Sequence, residues 1–228
     1  MKNFPTHVAI IPDGNRRWSK EHGAPAFEGH RRGAENMHDA IDYLIGQVQY
    51  LTVWGFSMDN WKRSDSEVND LFHLLATWIE KDTPWLNSRN VRLHSIGRLW
   101  ELPQDLQLAI KKAIELTSSN TEMTFTLAFN YSGRAEIVDA IHNWRLDKNG
   151  PEYIAEKSFS RYLYTDGMPD VDLVIRTAGE MRMSNFMLWQ TAYSEYYFTE
   201  VLWPDFDTKE LEKALQAYSE RQRRFGGD

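Results

Sequence analysis

An α/β fold, built on a mainly parallel central sheet of about six strands surrounded by helices, is what this sequence predicts. Three observations carry that prediction. Short apolar runs alternate with longer stretches of helical period along the chain. Several runs are apolar almost throughout, as strands covered on both faces must be. Finally, 228 residues with 42% hydrophobic content are enough for one core, so residues 1–228 are expected to form a single domain.

Taken in order, the first strand is His7-Val8-Ala9-Ile10-Ile11, and it ends at Asp13-Gly14-Asn15. A helical pattern over 30–46 leads to a second strand, Tyr50 to Phe56. The 65–88 stretch carries Val68, Leu71, Phe72, Leu75, Trp78 and Ile79, which share one side of a helix. Val91 to Ile96 is the third strand, followed by a helix over 103–118. Met123 to Phe129 is the fourth, followed by a helix over 133–146. Val171 to Ile175 and the less regular Glu195 to Phe198 complete the sheet, and 207–223 is the last helix. No internal repeat, low-complexity tract or linker interrupts the series.

Composition excludes several classes. Acidic residues outnumber basic ones, 33 to 26, for a formal net charge of −7, which argues against a nucleic-acid binder. The absence of cysteine removes disulfides, zinc–thiolate centres and thiol nucleophiles together. Met1 to His7 shows no basic segment leading into an apolar run, and no stretch reaches the roughly 20 apolar residues of a membrane span. A cytoplasmic protein is the expectation.

The polar residues gather where an open parallel sheet binds ligands, beyond the carboxyl ends of its strands. Asp13, Gly14 and Asn15 follow the first strand; Ser57, Asp59, Asn60 and Arg63 follow the second. Asn130, Tyr131, Ser132 and Arg134 follow the fourth, and Arg176, Thr177, Gly179, Glu180 and Arg182 follow the fifth. Four loops thus converge on one crevice holding Arg63, Arg176 and Arg182, with Arg17 close behind Asp13. Guanidinium forks match phosphate oxygens, and several of them aimed at one crevice point to a ligand with more than one phosphate. Neither a G-x-x-x-x-G-K-[ST] loop nor a G-x-G-x-x-G turn is present, so a Walker-type or Rossmann-type nucleotide is not expected.

Residue chemistry leaves three features open at this level. Asp13 suits an Asx-turn or helix cap, and equally a magnesium ligand. Trp54, Phe56, Phe125 and Phe129 on strands, with Phe72, Leu75, Trp78 and Ile79 on the 65–88 helix, suit either a plain core or the walls of an apolar tunnel. The terminal Arg224-Phe225-Gly226-Gly227 reads either as a helix stop or as an extra phosphate contact, in its own or a neighbouring subunit.

The ordered motifs resolve these alternatives by resemblance. His7 to Trp18, with Pro12-Asp13-Gly14-Asn15-Arg16-Arg17 at its centre, resembles the opening motif of the cis-prenyltransferases, the undecaprenyl diphosphate synthase family. Gly29-His30-x-x-Gly33, Gly55 to Arg63, Asn130-Tyr131-Ser132-Gly133-Arg134, Asp172 to Glu180, Arg182 to Phe186, Trp203-Pro204-Asp205-Phe206 and Arg224-Phe225-Gly226-Gly227 follow in the family's order. The resemblance runs from His7 to Gly227. It implies a homodimer whose subunits each hold an apolar tunnel, and a Mg2+-dependent condensation of isopentenyl diphosphate with an allylic diphosphate such as farnesyl or geranyl diphosphate. The product would be a medium- or long-chain polyprenyl diphosphate with cis double bonds. The lipid product would also bring peripheral contact with a membrane.

Residue by residue, the resemblance implies that Asp13 and Glu195 serve the metal. Gly14, Asn15, Arg16, Arg17, His30 and Arg63 would hold the allylic diphosphate. Arg176, Arg182, Ser184, Arg224 and Gly226 would hold isopentenyl diphosphate. Ser57 and Asn60 would act at the reacting centre, and Trp18 and Trp61 would contact substrate. Three positions depart from the family pattern: Pro12 replaces a methionine, Asp59 a glutamate, and Ala26 an arginine that contacts diphosphate in many members. A non-catalytic partner subunit would be expected to lack Asp13 and its arginines. A general phosphate-binding protein is the reading that remains without the resemblance.

Overall fold

Five consecutive residues from His7 to Ile11 are all buried, which makes strand β1 (His7–Ile11) an interior strand. Alternation sends Val8 and Ile10 to one face of the sheet and Ala9 and Ile11 to the other, and each pair joins a separate apolar cluster. His7 is the polar exception. Its Nδ1–H donates to Pro169 O and its Nε2 accepts from the Thr52 hydroxyl, each at 2.9 Å, and burial pushes its pKa down to about 4.

The computed structural model describes residues 4–221. The other strands are β2 (Tyr50–Ser57), β3 (Val91–Ile96), β4 (Met123–Tyr131), β5 (Leu173–Arg176) and β6 (Glu195–Phe198). They form one sheet in the order β3-β4-β2-β1-β5-β6, parallel at every pairing. Parallel neighbours need crossover segments, and helices supply most of them: α1 (Asn15–Glu21), α2 (Ala26–Leu44), α3 (Asp65–Ser88), α4 (Gln104–Thr117), α5 (Gly133–Leu146), α6 (Glu156–Phe159) and α7 (Thr208–Glu220). The core cluster on one face draws Leu44 from α2, Leu75 and Trp78 from α3, Ile110 from α4 and Leu215 from α7. The opposite face is closed by Phe186 and Met187, with a smaller cluster of Ala140, Phe159 and Leu163 beneath α5.

The single-domain α/β prediction agrees with this structure, and the differences in detail have local causes. α2 begins at Ala26 rather than 30, because Pro25 in an extended conformation starts it and the glycines at 29 and 33 weaken its apolar period. β5 begins at Leu173 rather than Val171, since the Val171 and Asp172 amides are drawn to Gln190 O and His7 O. Chain growth also switches sides at the centre: β2 flanks β1 on one side, and β5 flanks it on the other. The carboxyl ends of β1 and β5 therefore open beside each other, where parallel sheets bind ligands.

Among the described residues no helix is long and apolar enough to cross a membrane.

Candidate active site

The register of β1 on β5 sets Ile11 beside Arg176, so the chain leaving β1 passes directly over the last residue of β5. Asp13 lies two residues on. Its backbone oxygen accepts from the Thr177 hydroxyl (2.7 Å) and from Trp203 N (2.9 Å), which fixes the loop. Gly14 follows with φ 112°, and a Cβ there would meet Leu202 at 3.0 Å, so the turn requires glycine. That turn aims the Asp13 carboxylate at Arg176.

Arg176 and Asp13 form the centre of the site. The guanidinium donates from Nε (2.9 Å) and Nη2 (2.7 Å) to the same oxygen, Asp13 Oδ2. Its third nitrogen donates to Ser184 Oγ (2.9 Å) and to Arg182 O. The Arg176 side chain is only 4% exposed, whereas that of Asp13 is 40% exposed. The pair therefore joins a fixed, buried cation to a carboxylate that faces the cavity. Asp13 Oδ1 makes no hydrogen bond among the described residues and stays available to a ligand.

A second group of cations faces this pair. Glycines at 29 and 33 let α2 close on α1: a side chain at Gly29 would run into Asn15 O and Ser19 Oγ, and one at Gly33 into the Asn15 amide. Such packing carries Arg16 and Arg17 to the cavity beside His30 and Arg63. Arg63 Nη1 donates to Glu67 Oε1 (2.9 Å), with Arg16 at 3.7 Å and His30 at 3.8 Å from the same oxygen. Burial pushes the His30 pKa down to about 4, helped by Arg63 and Arg16, so its ring is neutral at pH 7. Arg17 donates to Ala178 O (3.1 Å) and lies 3.6 Å from Glu180, which also pairs with Arg182.

The end of β2 completes the mouth. Asn60 Oδ1 accepts from Ser57 N (2.9 Å) and Ser57 Oγ from Asp59 N (3.1 Å), which tightens the 57–62 turn. Below it lies a cavity of about 530 Å³, walled by Val53, Leu71, Leu74, Leu75, Trp78 and Leu127. Charged groups thus ring one end and apolar side chains line the interior, between the sheet and α3.

Of the residues singled out from sequence, Asp13, Gly14, Asn15, Arg16, Arg17, His30, Ser57, Asn60, Arg63, Arg176, Arg182 and Ser184 all line this one cavity. Trp18, Trp61 and Glu195 do not. The Trp18 indole donates to Asp205 Oδ1 (2.9 Å) and stacks on His22, away from the cavity. Trp61 lies one layer behind: its indole donates to Asn130 Oδ1 (2.8 Å) and its ring meets Phe56, a wall residue, edge-on. Glu195 pairs with Leu173 at the start of β5, at the opposite end of that strand from Arg176, and accepts from Arg221 (2.8 Å). Within one chain it is therefore not brought to Asp13. Arg224 and Gly226 lie outside the described residues.

Some wall residues were not distinguished by sequence. Phe72 and Phe125 belong to the core, with Phe72 against Phe56, Trp61 and Phe129, while Leu74 and Met37 reach the cavity instead. Glu67 carries little signal in the sequence, because an acid in the first turn of a helix reads as a dipole-complementing residue. Its spacing of four from Arg63 was the available signal.

Comparison with known proteins agrees with this geometry. Residues 11–226 match the family model described as "Putative undecaprenyl diphosphate synthase". An isoprenyl transferase of Fusobacterium nucleatum subsp. nucleatum is 50% identical over 228 residues, covering 99% of this chain and 97% of that protein. One from Thermotoga maritima is 44% identical, covering 98% of this chain and 97% of that protein. Among solved structures, lavandulyl diphosphate synthase from Lavandula x intermedia, in complex with dimethylallyl diphosphate, superposes with a TM-score of 0.93 at 38% identity. The match covers 98% of each chain.

Proposed function

This chain belongs to the undecaprenyl diphosphate synthase family, and from that premise we propose that it condenses isopentenyl diphosphate with an allylic diphosphate, elongating a prenyl chain through cis double bonds. The observation that carries this reading is the joining of Asp13 and Arg176 at a cation-ringed mouth over an apolar cavity. An amphiphile with a diphosphate head and a hydrocarbon tail satisfies both halves of that site.

Arg16, Arg17 and Arg63, with neutral His30 and the backbone at Gly14 and Asn15, would hold the allylic diphosphate. Arg176, Arg182 and the Ser184 hydroxyl would hold isopentenyl diphosphate. Cleaving the allylic carbon–oxygen bond leaves charge on the departing diphosphate, which fixed cations stabilise more in the transition state than before it. The isopentenyl double bond then attacks the allylic carbon, and loss of one proton leaves a new cis double bond. Ser57 and Asn60 shape the space beside that centre.

The residues present fit Mg2+. Asp13 lines the cavity with its side chain 40% exposed, and its Oδ1 takes no hydrogen bond among the described residues. Mg2+ commonly takes one or two carboxylates and completes its shell with phosphate oxygens and waters. When bound it would neutralise charge on the allylic diphosphate. Glu195 would reach such a site only from another subunit. β6 supports a homodimer: it is an edge strand whose four residues are only half-buried, with Tyr196 and Phe198 stacked upon it. Arg224 and Gly226 would complete the isopentenyl site across that interface. The cytoplasm, with membrane contact only through the lipid product, is the location this reading implies.

Steady-state turnover of labelled isopentenyl diphosphate with geranyl or farnesyl diphosphate tests the reading. Prenyl product is expected with Mg2+ and its loss on chelation; no product with any allylic partner would refute it. Gly55 offers a test of chain length. It lines the cavity, and a Cβ there would lie 3.0 Å from Leu127 and 3.1 Å from Phe129. Gly55→Leu fills space about the size of one isoprene unit, so the product is expected to shorten by one or more units, read by mass spectrometry of the dephosphorylated prenols.

A further inference from the structure

Glu67 is an acid in the wrong place for an anion-binding mouth. Its Oε1 accepts from Arg63 at 2.9 Å and lies 3.7 Å from Arg16 Nε and 3.8 Å from His30 Nε2. All three partners line the cavity, and all three belong to the allylic-diphosphate set. The start of α3 does not depend on this carboxylate: Ser64 Oγ caps the helix by accepting from Glu67 N (3.3 Å), and Asp65 already supplies a first-turn acid.

A second observation points to a ligand at the same spot. His30 Nε2 is buried with no hydrogen-bond partner, although Glu67 stands 3.8 Å away. A buried ring nitrogen left unsatisfied is unfavourable, and a phosphate oxygen reaching it would relieve that cost. Arg16 is 63% exposed on its side chain, so it can swing between the carboxylate and an incoming anion.

We propose that Glu67 is a resident counter-anion of the diphosphate site: it holds Arg63 and draws Arg16 between cycles and competes with the cleaved diphosphate for them, hastening its release. This rests on the prenyl-transfer reading above. Chain elongation requires such an exchange, because the growing chain's diphosphate must take over the cations that the cleaved one has just occupied. A fixed carboxylate weakens the hold on either and shortens the delay between condensations.

Inorganic pyrophosphate is the probe, as an inhibitor competing with the allylic diphosphate. Glu67→Gln keeps an oxygen that can accept from Arg63 but removes the charge. Its inhibition constant for pyrophosphate is expected to fall about fivefold or more, the effect of removing one like charge a few ångströms away near water. Glu67→Asp keeps the charge and is expected to stay within about twofold of the unaltered protein. Weaker or unchanged inhibition in Glu67→Gln would overturn the proposal, since a carboxylate that merely orients the arginines predicts weakening. Tighter inhibition in Glu67→Asp as well would also overturn it. The KM for isopentenyl diphosphate, held by other arginines, is expected to stay unchanged in both variants, and a large rise would count against the assignment. Failure of the unaltered protein to bind pyrophosphate at all would instead strike the diphosphate reading of the mouth.

Discussion

Replacing Asp13 by alanine is expected to lower turnover by about three orders of magnitude or more while the protein stays folded. The variant removes the one carboxylate that faces the cavity from the Arg176 pair, and with it the proposed anchor for Mg2+ on the allylic diphosphate. The fold should survive because Arg176 keeps Ser184 Oγ and Arg182 O as partners. Asp13 is partly open to water but Arg176 is buried, so leaving that guanidinium without its counter-charge should cost about 3 kcal/mol. Turnover number, metal dependence and the denaturation midpoint together check this. Asp13→Asn, similar in shape, should be nearly as inactive, and activity in either variant near that of the unaltered protein would refute the role of the acid.

Arg176→Lys carries the second large effect. A lysine keeps the charge but presents one ammonium where the guanidinium now reaches Asp13, Ser184 and Arg182 O at once. Losing that fork frees the Asp13 carboxylate to rotate and removes the proposed bidentate hold on isopentenyl diphosphate. A kcat lowered by about 100-fold, with a KM for isopentenyl diphosphate raised about tenfold, is expected from steady-state kinetics. If only kcat fell, Arg176 would serve Asp13 alone; if neither moved, the assignment would be wrong.

Much of this site was legible before any coordinates. The bounds of β1 and β3 are legible from the sequence because turn residues end both, β1 as an almost wholly apolar run and β3 as an alternating Val91, Leu93 pattern closed by Ile96. Of the four loops that parallel topology sends to one crevice, those after β1, β2 and β5 line the cavity, whereas the loop after β4 does not, its Asn130 being held by Trp61 and Arg98 O. Short polar elements were less visible. α1 buries only Ser19, so it has no apolar stripe to detect, and its position depends on the glycines of α2 beneath it. Trp18 and Glu195 are motif residues that the fold turns away from the cavity within one chain. A side chain next in sequence to a site can turn to Asp205, and one on a neighbouring strand can sit at the opposite end of the sheet. Which aromatic residues were wall and which were core depended on packing across three layers, and periodicity within one helix carries no information about that.

The geometry of the newly formed double bond tests the central claim most directly. Purified protein would be given an allylic diphosphate, labelled isopentenyl diphosphate and Mg2+, and the first condensation product analysed by NMR after dephosphorylation. A prenol one isoprene unit longer, with the new double bond cis, is the expected result. A trans bond, or no carbon–carbon bond formation with allylic partners of any length, would contradict it.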